Sequence, residues 1–157
     1  MLIIFGSGNH WISRTIKRVT KSKWSHVGII DGLEVIESCG PPFREWLAHA
    51  LFKINYKKQY GVITTAIEDF KARYIETEIR IIEGEISTAR ARLGMPFDML
   101  GLICAYLHIN WHDPKKDFCV ETVGHASHHI ENHEAHRQTP QSIWWLSEPV
   151  TGTNNDF

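Results

Sequence analysis

Trp24-Ser25-His26-Val27-Gly28-Ile29-Ile30-Asp31-Gly32-Leu33-Glu34-Val35-Ile36-Glu37-Ser38 is the stretch that decides how this chain folds. Two runs rich in β-branched residues, 24–30 and 33–38, are separated by Asp-Gly. Tight hairpin turns favour that pair because both central residues take positive φ. With Asp31 and Gly32 as the loop, Ile30 faces Leu33, and counting outward along both strands sets His26 directly opposite Glu37. Side chains so placed have Cβ atoms roughly 4.5–5.5 Å apart. A carboxylate at that distance bonds one imidazole nitrogen, fixes the tautomer and raises the basicity of the ring, leaving the other nitrogen to move protons. On the hairpin alone, the pair reads first as a satisfied polar contact on a half-buried sheet; a nucleophile is needed to make it more.

Outward from the hairpin, Leu2 to Phe5 is an apolar run stopped by Gly6-Ser7-Gly8-Asn9, which predicts a strand entering a turn. His10 to Val19 then suits an amphipathic helix with Trp11, Ile12, Ile16 and Val19 inward. The Gly-Ser-Gly turn lacks the third glycine and the Lys-Ser/Thr ending of phosphate-binding loops. After Pro41-Pro42, Phe43 to Phe52 reads as a short helix and Tyr60 to Thr65 as a strand. Ile67 to Leu93 has apolar residues at helical spacing, with the Ile81 to Leu93 portion stopped by Gly94 and Pro96. Asp98 to Ile109 is the next expected helix, and Asp117-Phe118-Cys119 opens another that runs to about His133. Thr139-Pro140-Gln141-Ser142 is a cap-like sequence before Ile143-Trp144-Trp145-Leu146. No repeat or linker divides the chain, so 1–150 is expected as one domain and 151–157 as a tail.

The 157 residues are 43% apolar and 22% charged, too hydrophobic for a disordered chain and sufficient for an ordinary core. Seventeen basic against 18 acidic side chains give a net charge of −1, which supplies no global attraction for nucleic acid. The basic run Arg14, Lys17, Arg18, Lys21 and Lys23 reads as a solvated helix face. Three cysteines and no secretory layout at the N-terminus suggest a reducing, cytoplasmic setting. The longest mostly apolar stretch, Met99 to Ile109, is far shorter than the roughly 20 residues of a membrane-spanning helix.

Among the cysteines, Cys119 sits where a helix begins, and the free N–H groups and dipole there favour a thiolate over the thiol. A histidine distant in sequence can be its partner. Cys104, between Ile103 and Ala105, reads as a small buried hydrophobe. Cys39 precedes Gly40-Pro41, near a pocket mouth but without an evident activator.

The order His26 in Trp24-Ser25-His26-Val27-Gly28-Ile29, Glu37 in Val35-Ile36-Glu37, then Gly94-Met95-Pro96-Phe97-Asp98, Phe118-Cys119-Val120-Glu121 and Thr139-Pro140 resembles the permuted papain-like cysteine hydrolases of the NlpC superfamily. The similar branch is the YiiX/YaeF-like one, related to lecithin:retinol acyltransferase, and the likeness runs over nearly the whole chain. It implies an α+β, circularly permuted papain-like fold with a small antiparallel sheet packed against helices. It also implies Cys119 as nucleophile, His26 as general base and then acid, and Glu37 as the residue orienting the imidazole. Val120 stands where a Ser is frequent in the family, and Phe97 where a Tyr is. The substrate class implied is a peptide-like amide or an acyl lipid, with amide hydrolysis favoured on superfamily analogy. No cofactor or metal is expected. Trp24, on the face of His26 by alternation, and Ser25 are the candidate substrate-binding residues, with core packing an equal reading for Trp24.

Two rivals come from other classes. His125, His128, His129, His133 and His136 could build a zinc module, since 129, 133 and 136 share one face of a continuous helix. The pattern lacks the His-Glu-x-x-His arrangement of zinc hydrolases. A catalytically silent binding domain is the other rival, opposed by the presence of His26, Glu37 and Cys119 in order.

Overall fold

The computed structural model describes residues 1–53, 60–107 and 109–150. The expected tail 151–157 lies outside the described residues, as does 54–59 of the charged segment. The described residues form an α+β architecture around a six-stranded antiparallel sheet. The strands are β1 (Leu2–Ser7), β2 (His26–Asp31), β3 (Glu34–Cys39), β4 (Gly61–Ala66), β5 (Glu76–Ile81) and β6 (Glu148–Pro149), in the spatial order β4-β3-β2-β1-β5-β6. The helices are α1 (Trp11–Val19), α2 (Phe43–Phe52), α3 (Ile67–Ala72), α4 (Ile86–Ala91), α5 (Met99–Tyr106), α6 (Cys119–Ala126) and α7 (Pro140–Leu146), with a 3-10 helix over Asn132–Arg137.

Strand alternation sorts the core into two layers. Ile3, Phe5, Val27, Ile29, Ile36 and Val62 point to one face, where they are buried with Val120 and Val123 of α6 and Ile143 of α7. Ile4, Ile30 and Val35 point to the other and pack under Phe70 of α3. Because both faces are covered, β1 reads as a continuous apolar run instead of alternating. Each such side chain taken from water contributes about 1.5–3 kcal/mol.

The hairpin forms, but its register differs from the expected one. Asp31 pairs with Glu34, Ile30 with Val35 and Ile29 with Ile36, so the loop is Gly32-Leu33. Gly32 alone of the two has positive φ, at 63°, as turns with glycine first require. Asp31 stays in the strand, where Arg90 grips its carboxylate with two bonds of 2.6 Å. The slip moves each partner by two residues, so every side chain keeps its face.

Three further expectations are corrected. The helical reading of 67–93 is interrupted by β5, whose Thr77, Ile79 and Ile81 alternate with Glu76, Glu78 and Arg80 and pair along all of β1. Helix α6 ends at Ala126 rather than near His133, because Ser127 turns into a bridge with Gly84 and His128 N–H bonds the Glu83 carbonyl. In α1, Ile12 and Ile16 are half-buried as expected, but Trp11 and Val19 are 62% and 47% exposed. The Thr139 cap is present: its hydroxyl accepts the Ser142 N–H at 3.1 Å, at the start of α7.

Candidate active site

His26 opens β2 and Glu37 lies near the end of β3, on the face covered by α3. Their side chains meet, Nε2 to Oε2 at 2.8 Å. They are diagonal neighbours instead of direct partners, and a gap at Gly28 makes the diagonal possible. A Cβ on Gly28 would stand 2.5 Å from Val35 Cγ1 and 3.3 Å from Glu37 Cβ, so a side chain there would fill the space the imidazole leans across. The Glu37 side chain is wholly buried. Its second oxygen, Oε1, accepts a hydrogen bond from Arg73 Nη2, at the end of α3. Arg73 Nη1 also lies 3.4 Å from Cys39 Sγ. The Tyr74 ring stacks on His26 at 5.8 Å and 15°, and Phe70, 4.9 Å from Tyr74, contacts the imidazole beside it at 5.8 Å.

These contacts set the charges. Burial alone would raise the Glu37 pKa, but the hydrogen bond and charge of His26, with the Arg73 guanidinium, overcome it and hold the carboxyl down at about 2. Burial works against a charged His26. Tyr74 and Cys119, with hydrogen bonds to Cys119 and Cys39, outweigh it and keep the imidazole well above its ordinary range. Tyr74 itself is pushed up to about 12, chiefly by burial. Glu37 is therefore the fixed negative charge of the site and His26 the group that carries a proton.

Cys119 arrives from the opposite layer, as the first residue of α6, and lines the same cavity as His26, near enough to help raise the imidazole's pKa. The segment leading to it is tied down at each step. Asp117 N–H bonds the Pro96 carbonyl at 3.0 Å, and the Asp117 carbonyl accepts from Asp98 N–H at 2.9 Å and from Ser38 Oγ at 2.7 Å. The buried Asp117 carboxylate takes both a guanidinium Nε and an Nη2 from Arg92. Glu121 then caps the helix by accepting the Phe118 N–H at 2.9 Å. Cys119 is thus delivered at a fixed point, with the unpaired N–H groups of a helix start around it.

A cavity of about 580 Å³ opens over these groups. Its floor includes His26, Cys39 and Cys119, with Arg73 and Tyr74 beside them. One wall is α1, through Trp11, Ile12 and Ile16, and the other is α5, through Met99, Leu102 and Ile103. Burial, with Cys119 nearby adding to it, pushes the pKa of the Tyr106 hydroxyl upward.

The structure therefore brings His26, Glu37 and Cys119 together, and Ser25 joins the lining, its Oγ donating to the Gly6 carbonyl at 3.1 Å and accepting from Gly8 N–H. Trp24 does not line this cavity. It is buried in the core against Phe5, ring centroids 5.6 Å apart, so the core-packing reading holds for it. Sequence reasoning passed over Arg73 and undervalued Cys39. The hairpin register is the signal that finds the latter, because continuing the observed pairing one step at a time sets Cys39 opposite His26.

The late histidines do not converge on one point. His128, His129 and His133 are exposed and lie beside Glu85, Glu83 and Glu131. His136 is buried, bonded through Nε2 to Asn110 Oδ1 at 2.7 Å and stacked on His112 at 4.4 Å. Among the described residues, the group compact enough to hold a metal is His26, Glu37 and Cys39, with donor atoms within 4.8 Å of one another. A cation there would stand against the Arg73 guanidinium, which already occupies one Glu37 oxygen and contacts the Cys39 sulfur. That competition makes the set a poor metal cradle and a good hydrogen-bonded acid–base pair. No protein-family model matches the chain, and a search of curated proteins finds none that matches it.

Proposed function

We propose that the protein is a thiol-dependent hydrolase that works through a Cys119–His26–Glu37 triad and a thioester acyl-enzyme, on a permuted papain-like arrangement of the α+β fold. The observation that carries the reading is the meeting of an imidazole fixed by a buried carboxylate with a helix-start cysteine, on the floor of a cavity. With the proton they share held on His26, the Cys119 sulfur attacks the carbonyl carbon of the substrate as thiolate. The backbone N–H of Cys119, at the helix start, is the donor for the developing oxyanion. His26 then protonates the departing group, and water, losing its proton to His26, releases the acid and restores the thiolate–imidazolium pair. Glu37 bonds Nε2 throughout, so Nδ1 is the nitrogen that exchanges protons. An amide is the substrate bond in this reading, by analogy with the family the sequence resembles.

A second reading on the same triad is an ester or thioester of a lipid acyl chain. The aliphatic walls given by α1 and α5 favour it, because an apolar cavity rewards burial of a hydrocarbon chain. The triad is tested by the rate of iodoacetamide labelling at Cys119 against pH, in the unmodified protein and in His26→Ala and Glu37→Gln variants, with Cys39 and Cys104 as internal controls. Fast labelling of Cys119 at neutral pH that collapses without His26 supports the reading. Equal, slow labelling of all three cysteines in every variant removes it. Nitrophenyl esters of increasing chain length, set against peptide amides, then separate the two substrate classes.

A further inference from the structure

Helices α1 and α5, the two that wall the cavity, are only thinly covered. No residue of α1 is buried. Its outer side carries Trp11, Arg14, Thr15, Arg18 and Val19, all exposed, with Lys21 just beyond. Helix α5 reads MLGLICAY, with no charged residue, yet Gly101 is the one buried position in it. Leu100, Leu107 and Ile109 are each at least half exposed at its ends. The two helices flank one opening. They form opposite walls of the cavity, and Val19 and Lys21 share a smaller depression with Ala105 and Tyr106.

Charge is distributed unevenly over this surface. Five of the 17 basic residues and none of the 18 acidic ones precede Asp31, leaving 12 basic against 18 acidic in the remainder. Lys17 is engaged with Ser7 and Lys23 with Glu76. Arg14, Arg18 and Lys21 have no ion pair among the described residues and face outward. A helix face that interleaves Trp and Val with unpaired cations, beside a half-covered apolar helix with exposed leucines at its ends, matches what an interfacial segment offers to headgroups and acyl chains.

We infer that the α1–α5 face docks on an anionic lipid surface, with Arg14, Arg18 and Lys21 among the headgroups and Trp11, Val19, Leu100 and Leu107 at the acyl boundary. The inference does not require Cys119 to be a nucleophile. It does place the mouth of the cavity, where Trp11 stands, against the lipid, so that a chain leaving the bilayer would enter between the two helices. A nucleic acid fits the cations but gains nothing from the exposed leucines of α5. A second copy in a two-fold arrangement would bring the same cations together.

The test is co-sedimentation of the full chain with phosphatidylcholine vesicles, with and without phosphatidylglycerol, in low and high salt. Binding is expected only with the anionic lipid, weakening as salt screens it. Charge reversal of Arg14, Arg18 and Lys21 to Glu is expected to lower the partition roughly hundredfold or more, at about 1 kcal/mol for each cation near the surface. Leu107→Asn is expected to weaken binding without changing its salt dependence. The salt titration of the unmodified protein decides the matter even if a variant misfolds. No binding, equal binding to neutral vesicles, or binding of a single-stranded oligonucleotide in place of vesicles would each overturn the inference. None of these outcomes bears on Cys119 labelling, so this inference and the proposed triad fail separately.

Discussion

Gly28 stands beside Glu37 across β2 and β3, and the missing side chain at Gly28 is what lets His26, two residues earlier, reach the Glu37 carboxylate at 2.8 Å. Gly28→Val fills that gap. It is expected to cost about 1–3 kcal/mol of stability by overpacking against Val35. It should also detach His26 from Glu37, so that the imidazole titration followed by NMR moves down towards its ordinary range. A His26 titration unchanged in Gly28→Val would show that the gap is not what joins the pair.

Glu37 gives the fold an acid limit. Its pKa is depressed from 4.5 to about 2, so the stability it contributes is fully present above about pH 4.5 and is lost as pH falls towards 2. Urea unfolding over that window should show a fall in the midpoint that is absent in Glu37→Gln. The variant starts less stable at neutral pH, on the order of 1–3 kcal/mol, because it leaves Arg73 beside a neutral amide.

Glu121 has the opposite sign. Burial, helped by the nearby Asp117 and Asp98, raises its pKa to about 8 against the Phe118 N–H bond that lowers it. The folded protein therefore holds a proton here that the unfolded chain loses above about pH 4.5. Stability should decline as pH rises from about 4.5 to 8, by an amount on the order of a few kcal/mol. Glu121→Gln keeps an acceptor for Phe118 and should flatten this decline, which unfolding curves at both ends of the window will show.

Arg92 and Asp117 predict a separation between folding and reactivity. Arg92→Met leaves the Asp117 carboxylate without its bidentate partner and loosens the segment that delivers Cys119. Stability is expected to drop by roughly 3 kcal/mol. In native buffer, Cys119 alkylation should lose part of its His26 dependence, whereas Cys104 labelling stays as before.

The His26–Glu37 pair was legible in the sequence even though the turn was placed one residue off, which shifts every cross-strand partner by two. Side chains along a strand repeat every two residues, so a slip of two preserves every face and leaves a diagonal contact where a direct one was expected. The same slip hid Cys39, which the observed register sets across from His26. Strand β5 was missed because its glutamates and Arg80 read equally well as one side of a charged helix, and only pairing with β1 decides between them. Arg73 left no trace in local pattern. It follows a six-residue helix whose position over the sheet is a tertiary fact, and its partner Glu37 lies 36 residues earlier. The histidine face failed for a related reason: Ser127 and His128 bond back to Gly84 and Glu83, ending the helix the face needed.

Glu37 divides its two oxygens between a base that titrates and a guanidinium that does not. When His26 gives up its proton, the carboxylate still has Arg73 to hold it in place, and the ring still has an oxygen to hydrogen-bond. The imidazole can thus cycle between charged and neutral without its support shifting underneath it. In the proposed reaction, bond making and bond breaking would begin from the same geometry, with no need to re-form the site between the two halves of a turnover.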